Sequence, residues 1–172
     1  METAAHYPHL SLDLSTQPAE STFDVSGLSS NAVIHMALNI LSARHNTGEI
    51  LTNPKDTANY LRLKLSEYKN EVFCALFLNT RHKIIAFEQL FQGTVDGAAV
   101  YPRVVAQRAM QHNASAVIFA HNHPSGVSEP SSADTHITQQ LVETLKLIDV
   151  RVLDHFVVAN GGTTSFAERG FL

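Results

Sequence analysis

Four residues, His121, His123, Ser131 and Asp134, constrain the fold of this chain more than any other feature, because their side chains converge only if a strand end meets a helix start. The run Ser115-Ala116-Val117-Ile118-Phe119-Ala120 is short, apolar and rich in strand formers, so it predicts a buried strand that delivers the histidines at its end. Side chains of an extended chain alternate faces, which sends His121 and His123 to the same side. Pro124 and Gly126 then break the strand, and Ser131 opens a helical pattern running to Lys146. The first turn of that helix can carry Asp134 back to the imidazoles. Two neutral imidazoles and one carboxylate suit a catalytic zinc whose fourth position is left to water.

Plainer readings fit parts of the same string. Ser131 and Asp134 also form a capping pair, a hydroxyl at the helix N-cap with an acid three residues on, and cap and site can coexist. A His-x-His pair at a strand end is often a solvated loop pair. The full pattern H-x-H-x7-S-x2-D favours the metal reading, because chance seldom supplies all four residue types at these offsets.

With 44% apolar residues in 172, the chain can bury one core. Residues 1–30 are rich in Ser, Thr and Pro without a sustained period, which predicts a flexible tail in which His6 and His9 are solvated. Residues 31–50 predict an accessory helix capped by Asn31, with Val33, Ala37, Ile40 and Leu41 on one face; it would dock on the domain or mediate homo-oligomer formation. Residues 51–172 predict one α/β domain. Asn53 and Pro54 start its first helix, through Ala58, Leu61 and Leu65. Glu71 heads the strand Val72-Phe73-Cys74-Ala75-Leu76-Phe77-Leu78, and a second strand follows over 83–91.

Pro102 opens a helix that Asn113 ends; on it Arg108, like Arg103 in its first turn, is either solvated surface or a contact for a substrate anion. In the strand predicted over 150–159, Val150, Val152, Asp154, Phe156 and Val158 alternate with Arg151, Leu153, His155 and Val157. A polar Asp154 on a face of valines needs a partner, so Asp154 or His155 either supports the site by bonding a ligand imidazole or a nearby loop, or makes a structural hydrogen bond. Gly161 and Gly162 predict a hairpin turn before a last strand over 163–166. The element order predicts one antiparallel or mixed sheet flanked by helices.

The formal charge of -4 and pI near 6.2 do not favour nucleic acid, which is bound through basic patches. A lone Cys74 in an apolar run predicts a buried, inert thiol. Residues 1–12 lack a basic start and an apolar core, and no apolar run reaches membrane length, which predicts a cytoplasmic protein without a membrane partner.

His121, His123, Ser131 and Asp134 resemble the JAMM motif of MPN-type metallopeptidases, and the surrounding residues resemble the JAMM domain of the RadC family. The matching pieces include Phe77-Leu78-Asn79-Thr80, Phe91-Gln92-Gly93-Thr94, Tyr101-Pro102-Arg103, Ala114 to Gly126, Pro130-Ser131 and Arg151-Val152-Leu153-Asp154-His155. The resemblance covers residues 53–172. Full-length relatives also carry a DNA-associated helix-hairpin-helix region; residues 1–50 show no such motif, which predicts a short RadC-like protein.

The resemblance implies a cytidine-deaminase-like architecture and one zinc per chain, held by His121, His123 and Asp134. It implies hydrolysis of a peptide or isopeptide bond by a zinc-activated water, in a substrate of unknown identity. An upstream glutamate serves as general base and then acid: Glu71 is the first candidate and Glu88 the rival. Ser131 would donate to the water or to the forming oxyanion. Three alternatives come from other classes. A zinc deaminase would need cysteine ligands that a single Cys cannot supply. A DNA-associated protein of repair or mobile elements would have a structural or nucleolytic zinc site. A non-catalytic scaffold would carry an unused one.

Overall fold

Every residue of the strand β1 (Val72–Leu78) is buried, and the same is true of β3 (Ala116–Asn122), so these two form the middle of the sheet. The computed structural model describes residues 27–46, 54–66, 68–94 and 99–172, without the side chains of 41–46. Its five strands run in the order β2-β1-β3-β4-β5, where β2 is Ile84–Gln92, β4 is Arg151–Ala159 and β5 is Gly162–Ser165. Neighbours are antiparallel except β3 and β4, which are parallel. A parallel pair needs a crossover, and the helix α4 (Ser132–Lys146) supplies it. The mixed sheet flanked by helices is the α/β class expected from the sequence.

Continuous apolar strands need cover on both faces, and two cores provide it. Tyr60, Leu61 and Leu65 of α2 (Pro54–Leu65) pack on Val72, Cys74, Leu76 and Ile118. On the other face, Val105 and Ala109 of α3 (Pro102–Gln111), with Leu141 and Leu145 of α4, pack on Phe73, Phe77, Val117 and Phe119. Each fully buried Leu or Phe contributes roughly 1.5–3 kcal/mol. Cys74 lies in the first core, where burial pushes its thiol up to about 12, as expected of an inert cysteine.

The helix α1 (Ser30–Asn46) starts one residue before the expected Asn31 cap. Its cap is Ser29, whose Oγ accepts from the Ala32 amide at 3.2 Å. The last strand ends at Ser165 because that residue caps α5 (Phe166–Arg169) through the Glu168 amide. Residues 1–26, which hold most of the expected tail with His6 and His9, lie outside the described residues, as do 47–53 with Asn53. Among the described residues no helix is long and apolar enough to cross a membrane.

The expected alternation along β4 is corrected by a bulge. Val152 pairs with Val117 and Asp154 with Ile118, so Leu153 is an extra residue in the ladder. An extra residue reverses the side-chain parity beyond it. Val150 and Val152 therefore join the core under α3 and α4, whereas Phe156 and Val158 join the core under α2. The same reversal turns His155 toward Phe73 and Phe119, on the face where His121 lies.

Candidate metal centre

His121 is the penultimate residue of β3, and His123 follows just past the strand. Their Nε2 atoms lie 3.0 Å apart. Ser131 caps α4, with its side chain accepting from the Asp134 amide and the Asp134 side chain accepting from the Ser131 amide. This reciprocal cap holds the carboxylate of Asp134 toward the histidines, with Oδ1 3.4 Å from His121 Nε2 and Oδ2 3.6 Å from His123 Nε2. The capping reading of Ser131 and Asp134 is met, in a geometry that also brings the carboxylate close to both imidazoles. The three side chains lie close enough to bind a metal.

The protons on the two imidazoles are fixed by their partners. Thr138 Oγ1 donates to the Asp134 carbonyl at 2.6 Å, one turn back along α4, which uses its only hydrogen. It must then accept from His155 Nδ1, also at 2.6 Å. His155 Nε2 is left as an acceptor for His121 Nδ1 at 2.8 Å, and the lone pair of His121 Nε2 faces the site. His123 Nδ1 donates to the Val127 carbonyl at 2.8 Å, so the Nε2 of its neutral ring also faces the site as a lone pair. Two lone pairs 3.0 Å apart beside a carboxylate repel unless a cation sits among them.

An imidazole that instead takes up a proton on Nε2 relieves the same repulsion, because the N–H so formed donates to Asp134. Burial, with the charge of His121 next, holds His155 neutral well below the usual imidazole range. The hydrogen bond to Asp134 is the first of the effects that raise the His123 pKa, against its burial, and the nearby charge of Glu71 adds to them. Burial alone would raise Asp134; hydrogen bonds from His121 and His123, the charge of His121 and the Ser131 hydroxyl together take it far below the carboxylate range.

Glu71 precedes β1 by one residue, so alternation gives it the face of Phe73, whose ring stacks on His121 at 6.3 Å. Its backbone is held by Thr94 and Gly93. Glu88 lies opposite Ala75, further from the histidine end of the sheet, and is committed elsewhere. Its carboxylate accepts from Arg108 at 2.6 and 2.7 Å and meets His112 at 2.7 Å. The hydrogen bond from Arg108, foremost, keeps the Glu88 pKa below the usual range. Arg108 is therefore an ion-pair residue, and Arg103 is exposed.

Asp154 does not touch the ligand imidazoles. Burial raises its pKa, and it accepts from Ser165 at 2.6 Å, from the Ala167 amide at 3.0 Å and from the His155 amide at 2.7 Å, tying β4 to α5. Of the two residues expected to support the site, His155 bonds His121 and Asp154 bonds the chain around it.

Thr138 and Asn122 were not foreseen. Thr138 stands four residues after Asp134, on the same helix face, and that spacing could have revealed it. Asn122 lies between the histidines, so alternation turns it to the opposite face. There its Oδ1 accepts from the Val72 amide at 2.8 Å and its Nδ2 donates to the carbonyls of Tyr68 and Asn70.

Residues 51–171 match a family model described as the RadC-like JAB domain. A UPF0758 protein of Nitrosococcus oceani is 60% identical over 125 residues, covering 73% of this chain and 56% of that protein. One of Cellvibrio japonicus is 53% identical over 141 residues, 82% of this chain and 63% of the relative. One of Vibrio cholerae is 54% identical over 142 residues, 83% of this chain and 90% of the relative. The chain thus spans just over half of the first of these relatives and most of the last.

Proposed function

The chain belongs to the RadC-like JAB-domain family, and from that premise we propose that it is a zinc-dependent hydrolase of peptide or isopeptide bonds. The observation that carries this reading is the pair of facing imidazole lone pairs beside Asp134. Their separations of 3.0, 3.4 and 3.6 Å are close to the edge of a tetrahedron with ~2.0 Å arms, about 3.3 Å. Two imidazoles and a carboxylate fit zinc, with one position left open. Zinc held there would supply a Lewis acid and lower the pKa of water toward ~7.

The chain's own residues do the rest. Glu71 takes the proton from the attacking water and returns it to the leaving amine, roles for which Glu88, held by Arg108 and His112, is not placed. Ser131 gives its hydroxyl hydrogen to Asp134 Oδ2 at 2.6 Å, so its first duty is to orient the carboxylate. With Asp134 holding a metal, the Ser131 hydroxyl would be free to turn that hydrogen to the developing oxyanion, a donor worth roughly 3 kcal/mol. His155 and Thr138 hold the proton on His121 Nδ1 and so keep its Nε2 open.

Purified protein loaded with zinc should cut members of a panel of peptide and isopeptide substrates, and a chelator should stop it. Stoichiometric zinc with no cleavage across the panel would overturn the hydrolase reading.

The relay gives a second expected result. Thr138→Val keeps the shape and removes the acceptor of His155 Nδ1, so zinc affinity should fall about 10- to 100-fold with the fold retained. Competition with a chromophoric chelator measures it. An unchanged affinity would show that the tautomer of His121 is set some other way.

A further inference from the structure

On the α2 face of the sheet, a cleft of about 680 Å³ opens between α2 and the turn that joins β4 to β5. Arg62, Tyr68 and Lys69 line one side, and His123, Pro124 and Asn160 line the other. The cleft therefore begins at a ligand of the metal centre and runs away from it. Its wall is held in place, since the Asn122 amide ties the carbonyls of Tyr68 and Asn70 to the end of β3.

Charge is what distinguishes this cleft. Arg108 and Arg169 are both spent on carboxylates of the chain itself. Arg62 and Lys69 are exposed, form no ion pair among the described residues, and share the cleft with no described acidic side chain. The metal centre, in contrast, presents Asp134 with Glu71 close to His123. A carboxylate-bearing ligand would be drawn to the two cations in the cleft, where no described acid opposes it.

We propose that the cleft seats a peptide segment carrying carboxylate groups, with Arg62 and Lys69 as its anion contacts and the bond to be cut lying across the rim at His123. The inference rests on the hydrolase reading and adds the substrate class. The carboxylate comes from acidic side chains or from a free chain end.

Fluorescent decapeptides titrated into the full chain test this, once with zinc and once with a chelator, so that carboxylate taken up by the metal is not counted. One probe carries three glutamates and an amidated end, a second is neutral with a free carboxylate end, a third is neutral and amidated, and a fourth carries three lysines. At least one carboxylate probe should bind about tenfold more tightly than the lysine probe, and more weakly as salt rises. Which of the two binds identifies the source.

R62E/K69E should lower that affinity about tenfold with the circular dichroism unchanged. K83E/K146E, with the same charge change elsewhere, should not. Equal binding of all four probes, an equal loss in both double variants, or a DNA duplex that displaces the acidic probe more effectively than unlabelled acidic peptide would overturn the inference. Cleavage without acidic preference leaves the hydrolase standing and the cleft refuted. Acidic binding that responds to R62E/K69E, without cleavage of any probe, does the reverse.

Discussion

Glu71→Gln is expected to leave zinc bound while turnover falls by roughly 10²-fold or more. Glutamine keeps the size of the side chain and its capacity to hydrogen-bond, but it cannot accept a proton at neutral pH. Glu71 is not among the three side chains that converge on the metal centre, so its replacement should not empty the site. Glu88→Gln is the matched comparison. It weakens the pairing with Arg108 and His112, partly exposed at the sheet edge, which should cost little stability and little activity. Zinc content and rate are measured on both variants. The opposite ranking at equal zinc content would move the proton shuttle to Glu88, and two fully active variants would mean that neither acid shuttles the proton.

His123→Ala should remove most of the roughly one zinc per chain expected of the intact site. The side chain supplies one of only three protein donors, and what remains, one imidazole and one carboxylate, is a poor competitor for the ion. The Val127 carbonyl would also lose the donor that orients the ring. Full retention of zinc in this variant, by metal analysis after gel filtration, would sink the assignment. Protons should compete at the same atom. The hydrogen bond to Asp134 raises the His123 pKa above its usual value near 6.5, and only the neutral ring can ligate. Apparent zinc affinity in the native protein should therefore fall as pH drops through that raised value, and it should be insensitive to pH well above it.

Much of this was legible in the sequence for local reasons. The strand β1 is an unbroken apolar run, α3 begins at a proline, and α4 begins at a capping pair whose acid also faces the histidines. The convergence of His121, His123 and Asp134 followed from strand alternation and one helix turn. The choice between Glu71 and Glu88 was not legible, because it depends on strand register and on Arg108, twenty residues from Glu88 in the chain. The parity of β4 was misjudged, since nothing in Arg151 to Ala159 marks the extra residue. Pairing with β3 creates that bulge, and pairing is a tertiary fact.

Leu153 acts on β4 as a frameshift acts on a message. Upstream of it the strand is read on one face, and downstream the same alternating text is read on the other. Deleting this one leucine would close the ladder without a change of register, since Val152 and Asp154 already pair with the consecutive Val117 and Ile118. The addresses of the residues that follow would be exchanged instead if Leu153 paired in regular alternation with Ile118, which would send Phe156 and Val158 to the layer of α4 and His155 to the layer of α2. The support of His121 is thus encoded in where the strand skips a residue as much as in a histidine.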